Sequence, residues 1–386
     1  MGAPRAGAAY NGGVDPLPLL ESLTGRIGFG LWGVAAAEPA SAEEAEQARA
    51  WAAGSRAGEM GWLADTLDTR ADPGRLLPDA RSVIVVADSY GNTAPPEPPE
   101  PPDTEDSGVP GVARGRVARY AWGRDYHRVL KKKLHRLSDG LAGGFPGERF
   151  RACVDTAPLD ERRYAEAAGL GWRGKNTLLI HPRHGSFVLL GAVVTTLELP
   201  TSAARGFPGP LVEPVDRCAR CTRCVDACPT AAIEPQPGGG HALDPRRCIS
   251  YLTLERRTID PPGQEPDTHG WLAGCDACQD ACPYNAAGAR NPLPVPLDFA
   301  PRPHAAGLDP AAVAGWAEED RLAATAGTAL TRVKLPMWRR NAASAPGTPG
   351  TPGTPEIPKP PAPGAPRGGG GLSPPGPPAP PPAPPP

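Results

Sequence analysis

The first apolar positions of the chain repeat at the spacing of one helix face. They are Leu17, Leu19, Leu20 and Leu23. The next apolar stretch, 27–34, carries glycines and predicts a strand. Ser41 with Glu44 three residues later forms a capping box, which predicts a second helix over 41–53. The sequence therefore predicts a folded chain from Pro16 onward.

Helical and strand periods alternate through the middle of the sequence. Short or long helical patterns cover 60–67, 126–141 and 160–169. Compact apolar runs, many of them β-branched, predict strands over 81–87, 152–155, 177–180 and 186–197. We expect the last two of these strands to pair with each other. This mixture of helices and strands indicates an α+β fold class.

The amino-acid composition indicates segments that do not form a folded core. The 386 residues include 47 Gly and 54 Pro, and the excess is concentrated in the segment 92–113 and in the tail 344–386. Neither segment can bury enough apolar surface to form a core, so we expect both, and residues 1–15, to be disordered. The formal net charge of −2 neither requires nor excludes a nucleic-acid partner.

The sequence predicts no membrane span and no export signal. No window reaches ~18 consecutive apolar residues. The N-terminus lacks the charged-then-apolar layout of a secretory signal, and it lacks a twin-arginine pair. We therefore expect a cytoplasmic protein, in which cysteines are reduced or bind metal rather than form disulfides.

Eight of the nine cysteines fall between Cys218 and Cys282. The first group has the spacing C-x2-C-x2-C-x3-C-P, which is typical of bacterial [4Fe–4S] ferredoxins. In that motif three cysteines bind one cluster, and the cysteine before the proline binds the other. The second group, 275–283, has the spacing C-x2-C-x3-C-P and lacks one nearby cysteine, which only Cys248 can supply.

This arithmetic predicts two [4Fe–4S] clusters. The first quartet is Cys218, Cys221, Cys224 and Cys282. The second quartet is Cys228, Cys248, Cys275 and Cys278. Zinc is the alternative metal for four thiolates, but zinc sites usually pair two CxxC units without a Cys-Pro crossover. Two clusters indicate electron transfer, so the rest of the chain should contain a site that receives the electrons.

Asp155 is the first candidate residue at such a site. It follows an apolar strand, and a carboxyl at a strand end beside a cavity can act as a general acid if burial raises its pKa. The alternative is an N-cap for the helix that begins near Asp160. The glycine-rich segment 169–177 lacks the spacing of a phosphate-binding loop. We interpret its glycines as allowing close approach to a large flat ligand.

Three basic groups stand out against the nearly neutral total charge. The first comprises Arg114, Arg116, Arg119, Arg124, Arg128, Lys131, Lys132, Lys133 and Arg136. The second comprises Arg246, Arg247, Arg256 and Arg257, and the third Arg332, Lys334, Arg339 and Arg340. Such groups can follow the phosphates of a nucleic acid, although solvated helix faces are the simpler explanation for any one of them.

Over 27–341 the chain resembles the epoxyqueuosine reductases, iron–sulfur and cobalamin enzymes that complete queuosine in tRNA. The resemblance is carried by the segments 60–63, 70–73, 77–84, 118–127, 154–158, 169–180, 248–253 and 274–279, and by the cysteine spacing. It implies a base-off cobalamin that receives electrons from the clusters and removes the epoxide oxygen. It also implies that Asp155 donates a proton to that oxygen.

The resemblance also implies contacts for the cofactor and the tRNA. The expected corrin contacts are Arg70, Ala118, Asp155, Leu179, Ser250, Cys275 and Asp276. Arg256 and Arg257 are the expected phosphate contacts to the anticodon stem–loop. The chain departs from the family pattern at Ala219, where glycine is usual, and at Tyr284, where tryptophan is frequent. The segment 92–113 and the tail have no counterpart, and any C-terminal helical-repeat extension is missing or reduced.

The expected organisation follows from the same resemblance. A disordered N-terminus, 1–15, precedes an N-terminal cobalamin-binding α/β domain over 16–210. A ferredoxin-like two-[4Fe–4S] domain follows over 211–290, then a short helical C-terminal region over 291–343 and the disordered tail 344–386. We expect a monomer that takes electrons from an unidentified reductant.

Two other functions are compatible with parts of the pattern. A reductive dehalogenase-like enzyme shares the cobalamin and two clusters, but respiratory members are usually exported by a twin-arginine signal, which this chain lacks. A simple electron-transfer ferredoxin with a docking domain would need neither Asp155 nor the glycine-rich segment. The basic groups favour RNA as the substrate over a small halogenated molecule.

Overall fold

A computed structural model describes residues 15–91, 114–202, 217–236, 239–286 and 293–345. The expected disorder of 1–15, 92–113 and 344–386 falls outside these residues, except at Asp15, Ser344 and Ala345. Among the described residues, no helix combines the length and the apolar character that a membrane span requires.

The larger elements agree with the periodicity of the sequence. The helices are α1 Leu17–Ile27, α2 Ala42–Ala53, α3 Gly61–Asp65, α4 Leu67–Ala71, α5 Tyr126–Gly144, α6 Glu161–Ala167, α7 Arg223–Asp226, α8 Ile249–Leu254, α9 Ala277–Asp280, α10 Pro310–Gly315, α11 Glu318–Thr325 and α12 Leu335–Ala343. The strands are β1 Leu31–Ala36, β2 Ser82–Ser89, β3 Arg116–Val117, β4 Phe150–Cys153, β5 Trp172–Arg173, β6 Leu179–Ile180, β7 Val188–Thr195, β8 Ile233–Pro235, β9 His241–Leu243 and β10 Trp271–Ala273. The capping box of Ser41 and Glu44 is confirmed at the start of α2.

The main sheet has four strands in the order β1-β2-β7-β4, and all its neighbours are antiparallel. All eight residues of β2 are buried, because helices cover both faces of the sheet. Its side chains alternate between two cores: Ile84 and Val86 face one, Val83 and Val85 the other. The mixture of helices and strands predicted for an α+β fold is thus confirmed, and its main sheet is antiparallel.

Helix α5 is amphipathic and covers one face of this sheet. Its fully buried leucines recur at intervals of four, three and four residues, which keeps them on one stripe. They are Leu130, Leu134, Leu137 and Leu141, and they pack with α1 and the sheet. This packing fixes the N-terminal turn of α5, where Tyr126 and His127 lie.

The cysteine-rich segment and the C-terminal helices join the first half of the chain through shared contacts. Strand β10 pairs in parallel with β3, which comes more than a hundred residues earlier. Trp338 of α12 is fully buried in a core that also contains Trp122 and Leu272. This core therefore combines side chains from three of the expected domains.

One predicted strand pairing is wrong. Strand β6 pairs with β5, and β7 lies in the main sheet between β2 and β4. The reason is local, since an antiparallel bridge between His181 and Gly185 reverses the chain between β6 and β7 without forming a ladder. Also, α1 continues to Ile27, so the first strand begins later than expected, at Leu31.

Candidate functional site

A cleft of about 430 Å³ lies where the sheet, the cysteine-rich segment and the C-terminal region meet. This volume is within the range of small-molecule and cofactor sites. The predicted corrin contacts that line it are Asp155, Leu179, Ser250, Cys275 and Asp276. The sequence therefore identified five residues, from four separate stretches of the chain, that the fold brings to one cavity.

The other two predicted corrin contacts do not line this cleft. Ala118 is buried against Ile249 and Trp271, and its Cβ closes the space beside Gly274. Arg70 donates a hydrogen bond from Nη1 to the carbonyl of Leu159 at 3.2 Å. Their contact with a cofactor stays a prediction.

Asp155 stands at the centre of a hydrogen-bonded group. The Tyr126 hydroxyl donates to Asp155 Oδ2 at 2.7 Å, and His127 Nε2 lies 2.8 Å from the same oxygen. The other ring nitrogen of His127, Nδ1, lies 2.8 Å from Asp125 Oδ1. With a carboxylate at each nitrogen, the imidazole is best satisfied when both nitrogens carry protons. The backbone φ of Asp155 is +42°, a strained conformation that turns it toward the cleft.

The charges in this group differ from those the sequence suggested. Burial opposes ionisation of Asp155, but the hydrogen bonds from His127 and Tyr126 outweigh it and lower its pKa to about 2. Burial also opposes the charge on His127, yet Asp125 and Asp155 raise its pKa to about 9. Burial and the adjacent carboxylate raise the pKa of Tyr126 far above its usual value. The condition of a raised Asp155 pKa, under which this carboxyl could act as a general acid, is therefore not met, and His127 holds the proton.

The geometry excludes the alternative role of Asp155 as the N-cap of α6. Asp160 caps α6, with Oδ1 accepting the N–H of Arg163 at 3.1 Å. Asp155 lies before this cap, and its carboxyl faces Tyr126 and His127 instead. It is thus available for chemistry in the cleft.

Glu161, the first residue of α6, is a cleft residue that the sequence analysis missed. Its Oε1 is buried without a hydrogen-bond partner among the described residues. Burial, followed by the charge of Asp155, raises the pKa of Glu161 to about 7. From sequence, a glutamate in the first turn of a helix is usually explained by its favourable interaction with the helix dipole. Only its burial beside Asp155 distinguishes it.

The thiols of the first predicted quartet are neighbours. Burial raises the pKa of Cys224 to about 11, and the nearby thiols of the quartet add to this effect. These neighbours are Cys218, Cys282 and Cys221, which with Cys224 complete the predicted set. The proximity of four thiols from two distant segments agrees with the ferredoxin-type crossover.

The second quartet is assembled in the same way. Burial raises the pKa of Cys275 to about 12 and that of Cys278 well above its usual value. The thiols whose charges act on Cys278 are Cys275, Cys248, Cys228 and also Cys224 of the first predicted quartet. The N–H of Ala232 donates to Cys228 Sγ at 3.2 Å, an interaction that stabilises a thiolate. Distant Cys248 thus lies near other thiols of its predicted quartet, and the assignment of this quartet stays a prediction.

No disulfide forms among the nine cysteines. In the described ranges, no three His, Cys, Asp or Glu side chains are grouped to hold a single metal ion. The cluster assignment therefore depends on cysteine spacing, on the neighbouring thiols and on the family match reported below. The ninth cysteine, Cys153, is fully buried in the sheet and belongs to neither quartet.

Buried polar contacts hold the second quartet against the sheet. Gln279 Nε2 donates to the Tyr90 hydroxyl at 3.2 Å, and the Ser186 hydroxyl donates to Gln279 Oε1 at 2.9 Å. Asp276 accepts the N–H of Arg119 at 2.8 Å. Burial raises the pKa of Asp276 to about 6, against the effect of Arg119. Cys228, Cys248, Cys275 and Cys278 all line the cleft, so this predicted quartet shares a cavity with Asp155.

The glycine-rich segment contributes to the cleft differently from our expectation. A Cβ at Gly171 would lie 2.3 Å from the carbonyl oxygen of Ile180, so this glycine permits the tight β5–β6 hairpin. The residues of the segment that line the cleft are Asn176 and Thr177, followed by Leu178 and Leu179. The glycines therefore shape the turn, and the side chains after them face the ligand space.

The predicted phosphate contacts Arg256 and Arg257 have different environments. Both terminal nitrogens of Arg256 bind the carboxylate of Asp260 at 2.5 Å, and its side chain is only 20% exposed. This pairing occupies the guanidinium that a phosphate would need, and a contact of Arg256 with tRNA stays a prediction. Arg257 is exposed, and its backbone N–H donates to Glu59 at 2.6 Å. Its side chain stays a candidate contact.

Two family models match the chain. The family described as epoxyqueuosine reductase QueG, DUF1730, matches residues 70–156, which include Asp125, His127 and Asp155. A 4Fe-4S double cluster binding domain matches residues 217–285, the range that contains both cysteine quartets. The domain description confirms the expectation of two [4Fe–4S] clusters.

Curated relatives and solved structures agree with these matches. The epoxyqueuosine reductase of Gloeobacter violaceus is 42% identical over 333 residues, covering 85% of this chain and 95% of the relative. That of Escherichia coli is 36% identical, covering 79% and 74%. A Bacillus subtilis epoxyqueuosine reductase, with its aspartate catalytic loop swung out of the active site, matches with a TM-score of 0.70 and 26% identity, covering 86% and 82%.

An epoxyqueuosine reductase solved with an epoxyqueuosine-modified tRNA-Tyr stem loop matches with a TM-score of 0.68 and 27% identity, covering 86% of this chain and 81% of that chain. Similarity of this extent shows that the chain belongs to the epoxyqueuosine reductase family.

Proposed function

We propose that this protein reduces the epoxide of epoxyqueuosine in the anticodon loop of tRNA to the cyclopentene of queuosine, using cobalamin and two [4Fe–4S] clusters. One observation carries the proposal. The thiols of the second predicted quartet and the proton-holding pair of His127 and Asp155 line a single cleft, and Asp125 binds the other ring nitrogen of His127. Such a cleft can deliver electrons from one wall and a proton from the other.

The cleft fits a large corrin ligand in the character of its walls. Apolar residues, Leu179 among them, alternate with polar groups that can bind amide side chains, such as Ser250 and Asn176. The unpartnered Glu161 Oε1 is a further acceptor or donor on this wall. Leu179, Ser250, Cys275 and Asp276 would hold the cofactor. When bound, reduced cobalamin supplies the two electrons for loss of the epoxide oxygen.

Protonation of the departing oxygen is the task of the protein side chains. Loss of the epoxide oxygen as water needs two electrons and two protons. His127, with its pKa of about 9, is protonated at neutral pH and shares its Nε2 proton with Asp155 Oδ2. Asp155 places that proton in the cleft as the general acid–base group. Glu161, with a pKa of about 7, holds a second proton in the same cleft.

We propose the expected domain plan, a cobalamin-binding region over 16–210 and a two-cluster region over 211–290, with the helical region 291–343 closing the cleft. Ala329 and Arg332 of that last region line the cleft, which supports this role. We also propose a cytoplasmic monomer that takes electrons from a separate reductant, because tRNA is its substrate.

The dehalogenase-like alternative is less well supported. The curated relatives that cover most of this chain, at 35–42% identity, are epoxyqueuosine reductases. A ferredoxin with a docking domain is also disfavoured, because it has no use for the His127–Asp155 pair in the cleft.

The test uses anaerobically reconstituted protein with cobalamin, a strong reductant and tRNA carrying epoxyqueuosine. Digestion and mass spectrometry of the nucleosides should show a product lighter by one oxygen. Asp155→Ala should abolish this product, whereas Asp139→Ala, at an exposed site on α5, should retain it. An unchanged nucleoside, with cobalamin and both clusters bound, would refute the proposal and favour the dehalogenase-like alternative.

A further inference from the structure

Of the three basic groups in the sequence, two are largely used inside the molecule. Arg246 pairs with Asp244, and Arg247 pairs with Glu234. In the third group Arg340 is buried and donates to backbone carbonyls, including that of Thr258 at 2.8 Å. Arg339 donates to the Trp316 carbonyl at 2.6 Å, and Arg332 pairs with Glu255. These cations stabilise the fold and are poorly placed to bind an external polyanion.

The first group is different along α5. Arg128, Lys131, Lys132 and Arg136 are exposed and follow a helical repeat, so they share one face opposite the buried leucines. Within the described part of the chain, Lys131, Lys132 and Arg136 have no carboxylate partner. The ridge from Arg128 to Arg136 is about 12 Å long at 1.5 Å per residue.

This face borders a groove of about 490 Å³. Arg124, Arg128, Lys132 and Arg136 line it, with Pro296 and Asp298 also among its lining residues. Its two acids are already neutralised, because Asp298 pairs with Arg124 at 2.9 Å and Asp125 faces His127 and Arg128. The groove therefore carries a net positive charge.

The groove and the catalytic cleft meet at the start of α5. Asp125 lines the groove, whereas His127 lines the cleft and bonds to Asp155. The N–H of Asp125 donates to the Gly327 carbonyl at 2.9 Å. Gly327 lies in the groove, and Ala329, two residues later, lies in the cleft. The two cavities are therefore lined by neighbouring residues of the same two segments, 125–127 and 327–329.

We propose that the α5 groove, through Lys132 and Arg136, its cations without a carboxylate partner in the described part of the chain, binds the phosphate backbone of the tRNA stem that adjoins the modified base in the cleft. This inference rests on the proposed function. Exposed Lys and Arg side chains in a row bind phosphates without reading bases, so the contact positions the RNA. It adds a surface that the Arg256–Arg257 prediction did not include.

The test compares two double charge reversals in the holoenzyme. Lys132→Glu with Arg136→Glu removes two groove cations. Arg81→Glu with Arg183→Glu makes the same charge change at exposed positions that line neither cavity. Affinity for unmodified tRNA-Tyr is measured by filter binding from about 50 to 200 mM salt, because phosphate contacts are salt-dependent. Thermal melting and cluster absorbance verify that each variant is folded.

The groove variant should bind tRNA at least tenfold more weakly near 100 mM salt. Its plot of log affinity against log salt should be shallower by about 1.5, because each phosphate contact contributes roughly 0.7–0.9. The control variant should match the wild type. A milder pair, Lys132→Gln with Arg136→Gln, should give an intermediate loss and serves if the reversal impairs folding.

The outcomes separate this inference from the proposed function. If the wild type converts epoxyqueuosine in tRNA but the groove variant binds tRNA as tightly as the wild type, only the groove is wrong. Equal losses of tRNA affinity in both double variants would mean that the total charge of the protein, rather than a specific site, controls binding. That result would also refute the groove assignment. If the wild type converts no tRNA, the proposed function fails and the groove assignment fails with it.

Discussion

Replacement of His127 by Gln removes the side chain that holds a proton between two carboxylates. Gln keeps a similar length and can still donate one amide hydrogen to Asp155. It cannot carry a positive charge or release a proton near neutral pH. The variant therefore separates the acid–base role of His127 from its hydrogen-bonding role.

The structure sets the size of the effect. The pKa of His127 rises from 6.5 to about 9. At about 1.4 kcal/mol per unit, this represents at most roughly 3 kcal/mol of preference for the charged form. The Asp155 side chain is 48% exposed, so solvent screening reduces the figure to about 1–2 kcal/mol. Since the folded pKa is raised, the stabilisation is complete below pH 6.5 and is lost as pH rises through about 9.

The assay is single-turnover conversion of epoxyqueuosine in tRNA at pH 6–10, with the nucleosides quantified by mass spectrometry. The wild-type rate should fall as pH rises through about 9, and this limb should be absent in His127→Gln. The variant should also be slower by about 10²–10⁴, the usual contribution of general acid–base catalysis. His269→Asn, which alters a histidine next to Asp267, should behave as the wild type.

A limb near pH 7 would belong to Glu161 and should persist in both proteins. Two results would refute the reasoning about His127. The first is a wild-type rate that is constant through pH 9. The second is a His127→Gln profile that retains the limb near pH 9, since another group would then hold the proton.

Three other predictions concern the clusters, the cleft and the core. Cys248→Ala should lower the iron content from about eight to about four atoms per chain, whereas Cys153→Ala should retain both clusters. An iron assay and electron paramagnetic resonance would measure the number of clusters in each variant. The pKa of Glu161 is raised from 4.5 to about 7, so the free energy of unfolding should fall as pH rises between these values. We expect a loss of roughly 1–3 kcal/mol between urea unfolding at pH 4.5 and at pH 7, and Glu161→Gln should remove it. Leu134→Ala, at a fully buried site, should cost about 2–5 kcal/mol in the same assay, and Leu322→Ala, at a 49% exposed site, under about 0.5.

Much of the fold was predictable because its signals are local. The leucine stripe of α5 and the capping box of α2 depend on residues three or four apart, and both are observed. The pairing of β6 was predicted wrongly, since strand partners depend on turns and on the sheet as a whole. The antiparallel order β1-β2-β7-β4 has no local signature either.

The candidate site divides in the same way. Asp155 was identifiable from its place after a strand, and its charge state was not. Its pKa depends on Tyr126 and His127, which come 28–29 residues earlier and reach it only through the packing of α5. Glu161 was missed for the same reason, because its raised pKa comes from burial and from Asp155.

The sequence by itself determined the cysteine chemistry of this protein, because ligand spacing and the Cys-Pro crossover specify a double-cluster domain without reference to the rest of the fold. Only the tertiary structure decided which basic residues face solvent. Arg256 pairs with Asp260 and Arg340 donates to backbone carbonyls, whereas Lys132 and Arg136 are exposed. A charge is available to a ligand only where no carboxylate or carbonyl of the same chain has already bound it, and that is settled by contacts between residues far apart in sequence.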